Sequence, residues 1–191
     1  IYENIQKFIR TLFSANATEV LLIVLGALFA FYLTDSGTAL LLPLTAAQIL
    51  WINLLTDSLP ALAITTDINQ NVLGRPPRKV GAPLLDRVSL LFILVAGGWG
   101  GLVALLFYLV LPESGYSSSQ TQTMVFCYLV FVQLLYVLPA RRVNLPSAWN
   151  WWVMLALLAG ASAQVATLFN AELGRFVAVE MLSAQAAFLL V

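Results

Sequence analysis

Long apolar runs, each close to the length that crosses a lipid bilayer, dominate the sequence and are joined by short polar connections. About 20 apolar residues in a helix span the hydrocarbon core, where every backbone N–H and C=O must be satisfied within the protein. Hydrophobic residues make up 61% of the chain and charged residues 9%, whereas an ordinary soluble domain is about 45–50% apolar. The sequence therefore predicts an all-α, polytopic membrane protein embedded in the lipid bilayer.

We predict a helical bundle of six transmembrane helices, the last of them truncated, at residues 11–33, 43–64, 88–111, 121–138, 149–169 and 176–191. If the six helices alternate in direction, all of the Lys and Arg residues except Arg175 fall on one side of the membrane. Cytoplasmic loops carry an excess of Lys and Arg. The connection that contains Arg75-Pro76-Pro77-Arg78 is therefore predicted to be cytoplasmic.

Two local patterns predict how these helices pack and where they meet the membrane surface. Gly97 and Gly101 stand four residues apart in the third segment, a spacing that lets another helix approach closely; a hinge is the alternative. Trp149, Trp151 and Trp152 cluster at the start of the fifth segment, as aromatic residues do at a membrane interface. We interpret them as interface anchors.

The composition excludes several kinds of site. The sequence has no His and a single cysteine, Cys127, which can form neither an internal disulfide nor a soft-metal site by itself. Nine basic residues balance nine acidic ones, so net charge gives no argument for a nucleic-acid partner, and none is predicted. Residues 1–10 lack the order of a signal peptide, and we expect both ends of the chain to be cuts in a longer protein.

The second apolar run contains a group of polar residues that needs an explanation. Asn53, Thr56 and Asp57 stand at i, i+3 and i+4, which places them on one face of a helix. A charged residue at the centre of a membrane helix costs about 2.5–3.5 kcal/mol on insertion scales, so it suggests a functional site. Pro60 has no N–H and leaves the Thr56 carbonyl without its helical partner. The pattern indicates a cation site; interhelical hydrogen bonding is the alternative.

Polar residues in two other segments extend this candidate site. Asn16 and Glu19 share a face of the first segment, and Gln133 is the single amide in the apolar stretch from 124 to 138. The predicted metal-binding residues are Asn16, Glu19, Asn53, Thr56, Asp57 and Gln133. Together they offer about six to eight oxygens, the number that Ca²⁺ takes. We predict Ca²⁺, with Mn²⁺, Na⁺ or H⁺ as alternatives, and proton counter-transport, because two carboxylates repel each other without a cation.

Four motifs, in order, resemble a known family. They are Ile1–Arg10, Ser14–Glu19, Gln48–Ala61 and Arg75–Arg78. These stretches closely resemble the C-terminal membrane part of P-type cation-transporting ATPases, in particular the calcium pumps of sarcoplasmic-reticulum type and their bacterial relatives.

The resemblance implies that residues 1–10 end a cytoplasmic stalk helix and that residues 11–191 form a transmembrane transport module, the fifth to tenth membrane helices of the pump. It implies that Asn16 and Glu19 match fifth-helix ligands and that Asn53, Thr56 and Asp57 match sixth-helix ligands. The partners would be the remaining membrane helices and cytoplasmic domains of the same pump, which bind ATP and Mg²⁺. The membrane would be a bacterial plasma membrane or that of an internal calcium store.

The sequence departs from the family pattern at three positions. Ser58 and Thr18 stand where calcium pumps commonly have glycine, and Gln133 matches the plasma-membrane type, whereas the reticulum type has Glu. The chain also lacks an Asp-Lys-Thr-Gly-Thr phosphorylation motif and a nucleotide domain, so it is expected to hold no catalytic residue and not to hydrolyse ATP alone. Two alternatives are a self-contained channel or secondary transporter and a non-transporting scaffold.

Overall fold

The computed structural model describes residues 2–33, 42–67, 84–143 and 149–179. Helix α1 covers Tyr2–Leu33, and a second run comprises α2 (Ala46–Asn53), a π-helical turn (Leu54–Ser58) and α3 (Leu59–Thr65). The later helices are α4 (Arg87–Glu113), α5 (Ser118–Ala140), α6 (Trp151–Phe169) and α7 (Ala171–Phe176). These described residues contain no strand, which confirms the all-α prediction.

Five helical runs in the described part of the chain are long and apolar enough to cross a membrane. They are Tyr2–Tyr32, Ala46–Thr65, Arg87–Glu113, Ser118–Ala140 and Trp151–Phe169. The protein is therefore a multi-pass integral membrane protein. Most of the predicted sixth span lies in residues 180–191, outside the described residues, as does the connection with Arg75-Pro76-Pro77-Arg78. The division of the chain at residue 10 stays a prediction, since α1 runs through it without a break.

Helix α5 lies at the centre of the bundle. Two thirds of its apolar span is buried, against 22–39% in the other four spans. It contributes more buried side chains to the main hydrophobic core than any other helix, including Phe126, Leu129 and Val130, which lie in one cluster with Leu22 of α1 and Ile52 of α2. The outer helices expose large apolar side chains, for example Leu94 and Trp99 of α4. That distribution is expected when the surrounding solvent is lipid hydrocarbon.

Helix α1 packs against α4 through small residues, as the glycine spacing predicts. A Cβ atom added at Gly97 would lie 2.6 Å from the Cβ of Ala17, and one at Gly101 would lie 2.9 Å from Cδ2 of Leu21. At Gly100 an added Cβ would collide with the hydroxyl of Tyr136 on α5. Larger residues would force the backbones apart, so the close-packing interpretation is confirmed.

A buried cluster of charges joins four elements at one end of the bundle. Asp67, just beyond α3, accepts hydrogen bonds from Lys7 Nζ of α1 (2.8 Å), Arg141 Nε (2.9 Å) and Asn150 Nδ2 (2.8 Å). Burial alone raises the pKa of Asp67, but these three hydrogen bonds and the charge of Lys7 lower it to about 2. Asp67 is therefore ionised at neutral pH and ties α1 to the ends of α3, α5 and α6.

Arg10 makes a second connection at the same end. Its Nε donates to Ser89 Oγ of α4 (2.7 Å), and its guanidinium also donates to the carbonyls of Ala140 (3.4 Å) and Val143 (2.7 Å). A cation at a helix C-terminus satisfies carbonyls that have no helical partner. Lys7, Arg10 and Arg141, which the alternating topology predicts on one side of the membrane, therefore meet at one end of the structure.

Candidate cation-binding site

The second transmembrane run is a helix with a change of geometry in its middle. Thr45 caps its start, because its hydroxyl accepts from the Gln48 N–H while the Gln48 side chain accepts from the Thr45 N–H. The α-helix then widens into the π-helical turn Leu54–Ser58. Pro60 stands in the first turn of α3, a position where its missing N–H costs little. Single π-helical turns inside α-helices are frequent at functional sites.

The π-helical turn changes the relative positions of Asn53, Thr56 and Asp57, the polar stripe predicted on one face of the second helix. A π-helix bonds i to i+5 rather than i to i+4, so the spacing that places Asn53, Thr56 and Asp57 on one α-helical face does not apply unchanged. Thr56 is buried, and its hydroxyl donates to the Ile52 carbonyl (2.9 Å), whereas Asn53 and Asp57 are half-buried. Thr56 Oγ1 still lies 3.5 Å from Asp57 Oδ1. The stripe is therefore divided between a buried hydroxyl and two accessible groups.

Glu19 and Gln133 meet in the membrane interior. Gln133 Nε2 donates to Glu19 Oε1 at 3.1 Å and to the Ala15 carbonyl at 3.4 Å. Glu19 is 4% exposed and Gln133 is completely buried. The side-chain oxygen of Gln133 has no hydrogen-bond partner among the described residues. An unpartnered buried acceptor next to a carboxylate is costly and is the arrangement that an oxygen-coordinated cation would complete.

Asp57 lies near enough to Glu19 for their charges to interact. Asn16 and Asn53 are half-buried, and their side chains make no hydrogen bond to any described residue. Across the described ranges no three His, Cys, Asp or Glu residues cluster together. The candidate site thus combines two carboxylates with amide and hydroxyl oxygens, a donor set suited to hard cations such as Ca²⁺.

Thr18, the residue directly before Glu19, makes a separate set of contacts with α4 and α5. Its hydroxyl lies 2.9 Å from the Ser14 carbonyl, 3.2 Å from the Gly97 carbonyl of α4 and 3.1 Å from the hydroxyl of Tyr136. Tyr136 in turn donates to the Ala96 carbonyl (2.7 Å). The threonine therefore joins α1 to α4 and α5.

The structure adds residues that the sequence patterns did not single out. Ser14 Oγ is fully buried one residue before Ala15 and has no hydrogen-bond partner among the described residues. Trp51, two residues before Asn53, donates from Nε1 to Gln164 Oε1 of α6 (3.1 Å), and Gln164 Nε2 lies 3.4 Å from Cys127 Sγ of α5. These bonds hold α2 against α5 and α6 directly before the π-helical turn. A search for buried polar residues within apolar runs could have found Gln164.

Comparisons with known proteins place the chain in a family. Residues 41–191 match the family model described as cation transporting ATPase, C-terminus. The chain is 39% identical over 144 residues to a calcium-transporting ATPase of Bacillus subtilis (strain 168), which covers 74% of the chain and 15% of that relative. It is 29% identical over 192 residues to calcium-transporting ATPase type 2C member 2 of Mus musculus, covering 96% of the chain and 19% of the relative.

A third relative is calcium-transporting ATPase 1 of Schizosaccharomyces pombe, 29% identical over 142 residues, which cover 74% of the chain and 15% of that protein. The chain therefore spans less than a fifth of the length of these curated relatives.

Proposed function

Because this chain belongs to the family of cation-transporting ATPases, as part of their C-terminal membrane region, we propose that it supplies ion-coordinating residues for the ATP-driven transport of Ca²⁺. The proposed ligands are Asn16, Glu19, Asn53, Thr56, Asp57 and Gln133. The observation that carries the proposal is the buried Glu19–Gln133 pair, in which the Gln133 oxygen has no partner among the described residues.

The donor set supports calcium as the transported ion. Ca²⁺ takes about six to eight oxygen ligands at flexible geometry, and two carboxylates with amide and hydroxyl oxygens meet that requirement. The relatives' names, which all specify calcium transport, support the same ion. We also propose proton counter-transport, because Glu19 and Asp57 are close enough for mutual repulsion when no cation lies between them.

The energy for transport would come from parts of a longer pump. The residues that bind ATP and Mg²⁺ and accept the phosphoryl group would lie in its cytoplasmic domains, and further membrane helices would complete the cation site. The pump would reside in a bacterial plasma membrane or in the membrane of an internal calcium store. Within it, α1 would connect the cytoplasmic machinery to Glu19.

The test is a pair of isosteric substitutions in a full-length pump that carries this region. Asp57→Asn and Glu19→Gln keep the shape and one acceptor oxygen of each side chain but remove its charge. We expect both to abolish Ca²⁺-dependent phosphorylation by ATP. Asp86→Asn is the matched control, because Asp86 caps α4 away from the site and Asn caps helices as well as Asp does.

Retention of Ca²⁺-dependent phosphorylation by both charge-neutral variants would overturn the proposal and favour a scaffold in which the polar groups only hold helices together. The same assay with Mn²⁺ or Na⁺ in place of Ca²⁺ tests the ion. Counter-transport is tested by recording proton movement during Ca²⁺ uptake in vesicles that contain the pump.

A further inference from the structure

A cavity of about 540 Å³ lies between α4, α5 and α6, away from the candidate cation site. Its walls are mainly apolar, formed by Phe92, Leu138, Pro139, Val143 and Met154. The charged side chain of Arg142 and the amphipathic side chain of Trp149 complete the lining. The cavity lies where α5 ends and α6 begins, on the same end of the bundle as the Asp67 cluster.

The two consecutive arginines at this end differ in their surroundings. Arg141 is 6% exposed and is held by Asp67. Arg142 is exposed, and none of the described carboxylates lies within ion-pair distance of it. Its positive charge is therefore available to a ligand at the mouth of the cavity.

Exposed tryptophans place this cavity at the level of the lipid headgroups. Trp149, Trp151 and Trp152 are 64%, 70% and 65% exposed at the start of α6. Tryptophans with this exposure at the end of a transmembrane helix occupy the membrane interface, where one edge of the ring is apolar and the N–H is hydrated. A ligand in the cavity would thus have its polar end among headgroups and its apolar end at the edge of the hydrocarbon.

We propose that this cavity binds an anionic glycerophospholipid. The lipid phosphate would lie against the Arg142 guanidinium, which presents several N–H donors to an oxyanion. The indole N–H of Trp149 would donate to a headgroup oxygen, and the first acyl methylenes would occupy the apolar walls. An isolated phosphate ion would leave those walls unfilled, and an apolar helix would leave the cation at the rim without a counter-charge.

The experiment uses the full-length pump, purified from a mixture of phosphatidylcholine and phosphatidylglycerol, with the bound lipids counted by native mass spectrometry. In Arg142→Gln we expect the ratio of bound phosphatidylglycerol to phosphatidylcholine to fall about fivefold, the factor that one basic residue contributes at an anionic lipid surface. Arg142→Lys keeps the charge and is expected to keep most of the preference.

Two further variants separate the site from general electrostatics. Arg175→Gln removes a charge from another exposed position, where the side chain is 78% exposed and paired with Glu172, and is expected to leave the lipid ratio unchanged. Met154→Trp fills the cavity and is expected to lower phosphatidylglycerol retention while Arg142 is intact.

Equal lipid ratios in Arg142→Gln and Arg175→Gln would overturn the proposal, as would unaltered phosphatidylglycerol retention in Met154→Trp. Displacement of phosphatidylglycerol by inorganic phosphate would identify an ion site and not a lipid site. Because lipid retention is measured without turnover, its failure is distinct from failure of the transport proposal.

Discussion

Gln133 donates a hydrogen bond to Glu19 across the interface between α5 and α1, with 3.1 Å between Nε2 and Oε1, while its own oxygen has no partner among the described residues. One amide therefore orients a buried carboxylate and offers a second ligand beside it. If Gln133 is a cation ligand, as proposed, its oxygen is already positioned next to the carboxylate of Glu19.

Replacement of Gln133 by Leu is expected to weaken the apparent affinity for Ca²⁺. A hydrogen bond to a charged group contributes about 1.5–3 kcal/mol. We therefore expect the Ca²⁺ concentration that gives half-maximal phosphorylation of the full-length pump to rise roughly 10- to 100-fold. Gln6→Leu is the matched control, because Gln6 is a buried amide near the start of α1 whose Nε2 donates to the Leu84 carbonyl, outside the candidate site. Equal losses in both variants would show that the effect is one of packing.

Gly100→Ala is expected to destabilise the protein, since the new methyl group would collide with the Tyr136 hydroxyl. Overpacking of this kind costs about 1–3 kcal/mol. At Gly98, two residues away on α4, an added Cβ meets no atom within 4 Å, so Gly98→Ala is expected to be neutral or slightly stabilising. Thermal unfolding in detergent measures both changes.

The double variant Gly100→Ala with Tyr136→Phe provides an internal check, because it removes the oxygen that the methyl group meets. It is expected to be more stable than the sum of the two single changes predicts. Strict additivity would show that the clash with the Tyr136 hydroxyl is not the source of the instability.

Asp67→Asn is expected to lower stability by about 3 kcal/mol, because it leaves Lys7 and Arg141 buried without their shared counter-charge. The pKa of Asp67 is lowered from 3.8 to about 2 in the folded protein. A lowered folded-state pKa means that the ionised group stabilises the fold above pH 3.8 and that this contribution disappears as the pH falls through 2. The difference in the free energy of unfolding between the parent protein and Asp67→Asn should therefore be constant above pH 3.8 and shrink below it.

Glu172→Gln serves as the control for that measurement. Glu172 pairs with Arg175 at 3.3 Å, but both side chains are largely exposed, and exposed ion pairs contribute little. A change in Glu172→Gln as large as that in Asp67→Asn would contradict the distinction between the two pairs.

The apolar runs predicted the membrane helices well, because every helix that crosses a membrane needs an apolar segment of similar length. Apolar runs must be long enough to span, and the five described spans follow that rule. The identity of the site residues stays a prediction, although Glu19 and Gln133, found only as polar exceptions in separate runs, lie in contact. Small-residue spacing also predicted a close helix contact on α4, and the structure identifies α1 as the partner.

The π-helical turn was not predictable from spacing, because the stripe Asn53, Thr56, Asp57 assumes an unbroken α-helix. The role of Asp67 was equally hidden. Lys7 and Arg141 looked like ordinary cytoplasmic charges, and only the tertiary fold brings them to one carboxylate. Local patterns do not contain pairings between residues 60 and 74 positions apart.

Helix α1 carries both Lys7 and Glu19 without interruption, and the twelve residue steps from one to the other rise about 18 Å at 1.5 Å per residue. A displacement of this helix along its axis would break the Lys7–Asp67 ion pair and the bonds of Arg10 to α4 and α5. A rotation about that end would preserve them. The contacts with Asp67, α4 and α5 thus fix the end of α1 that lies about 18 Å from Glu19.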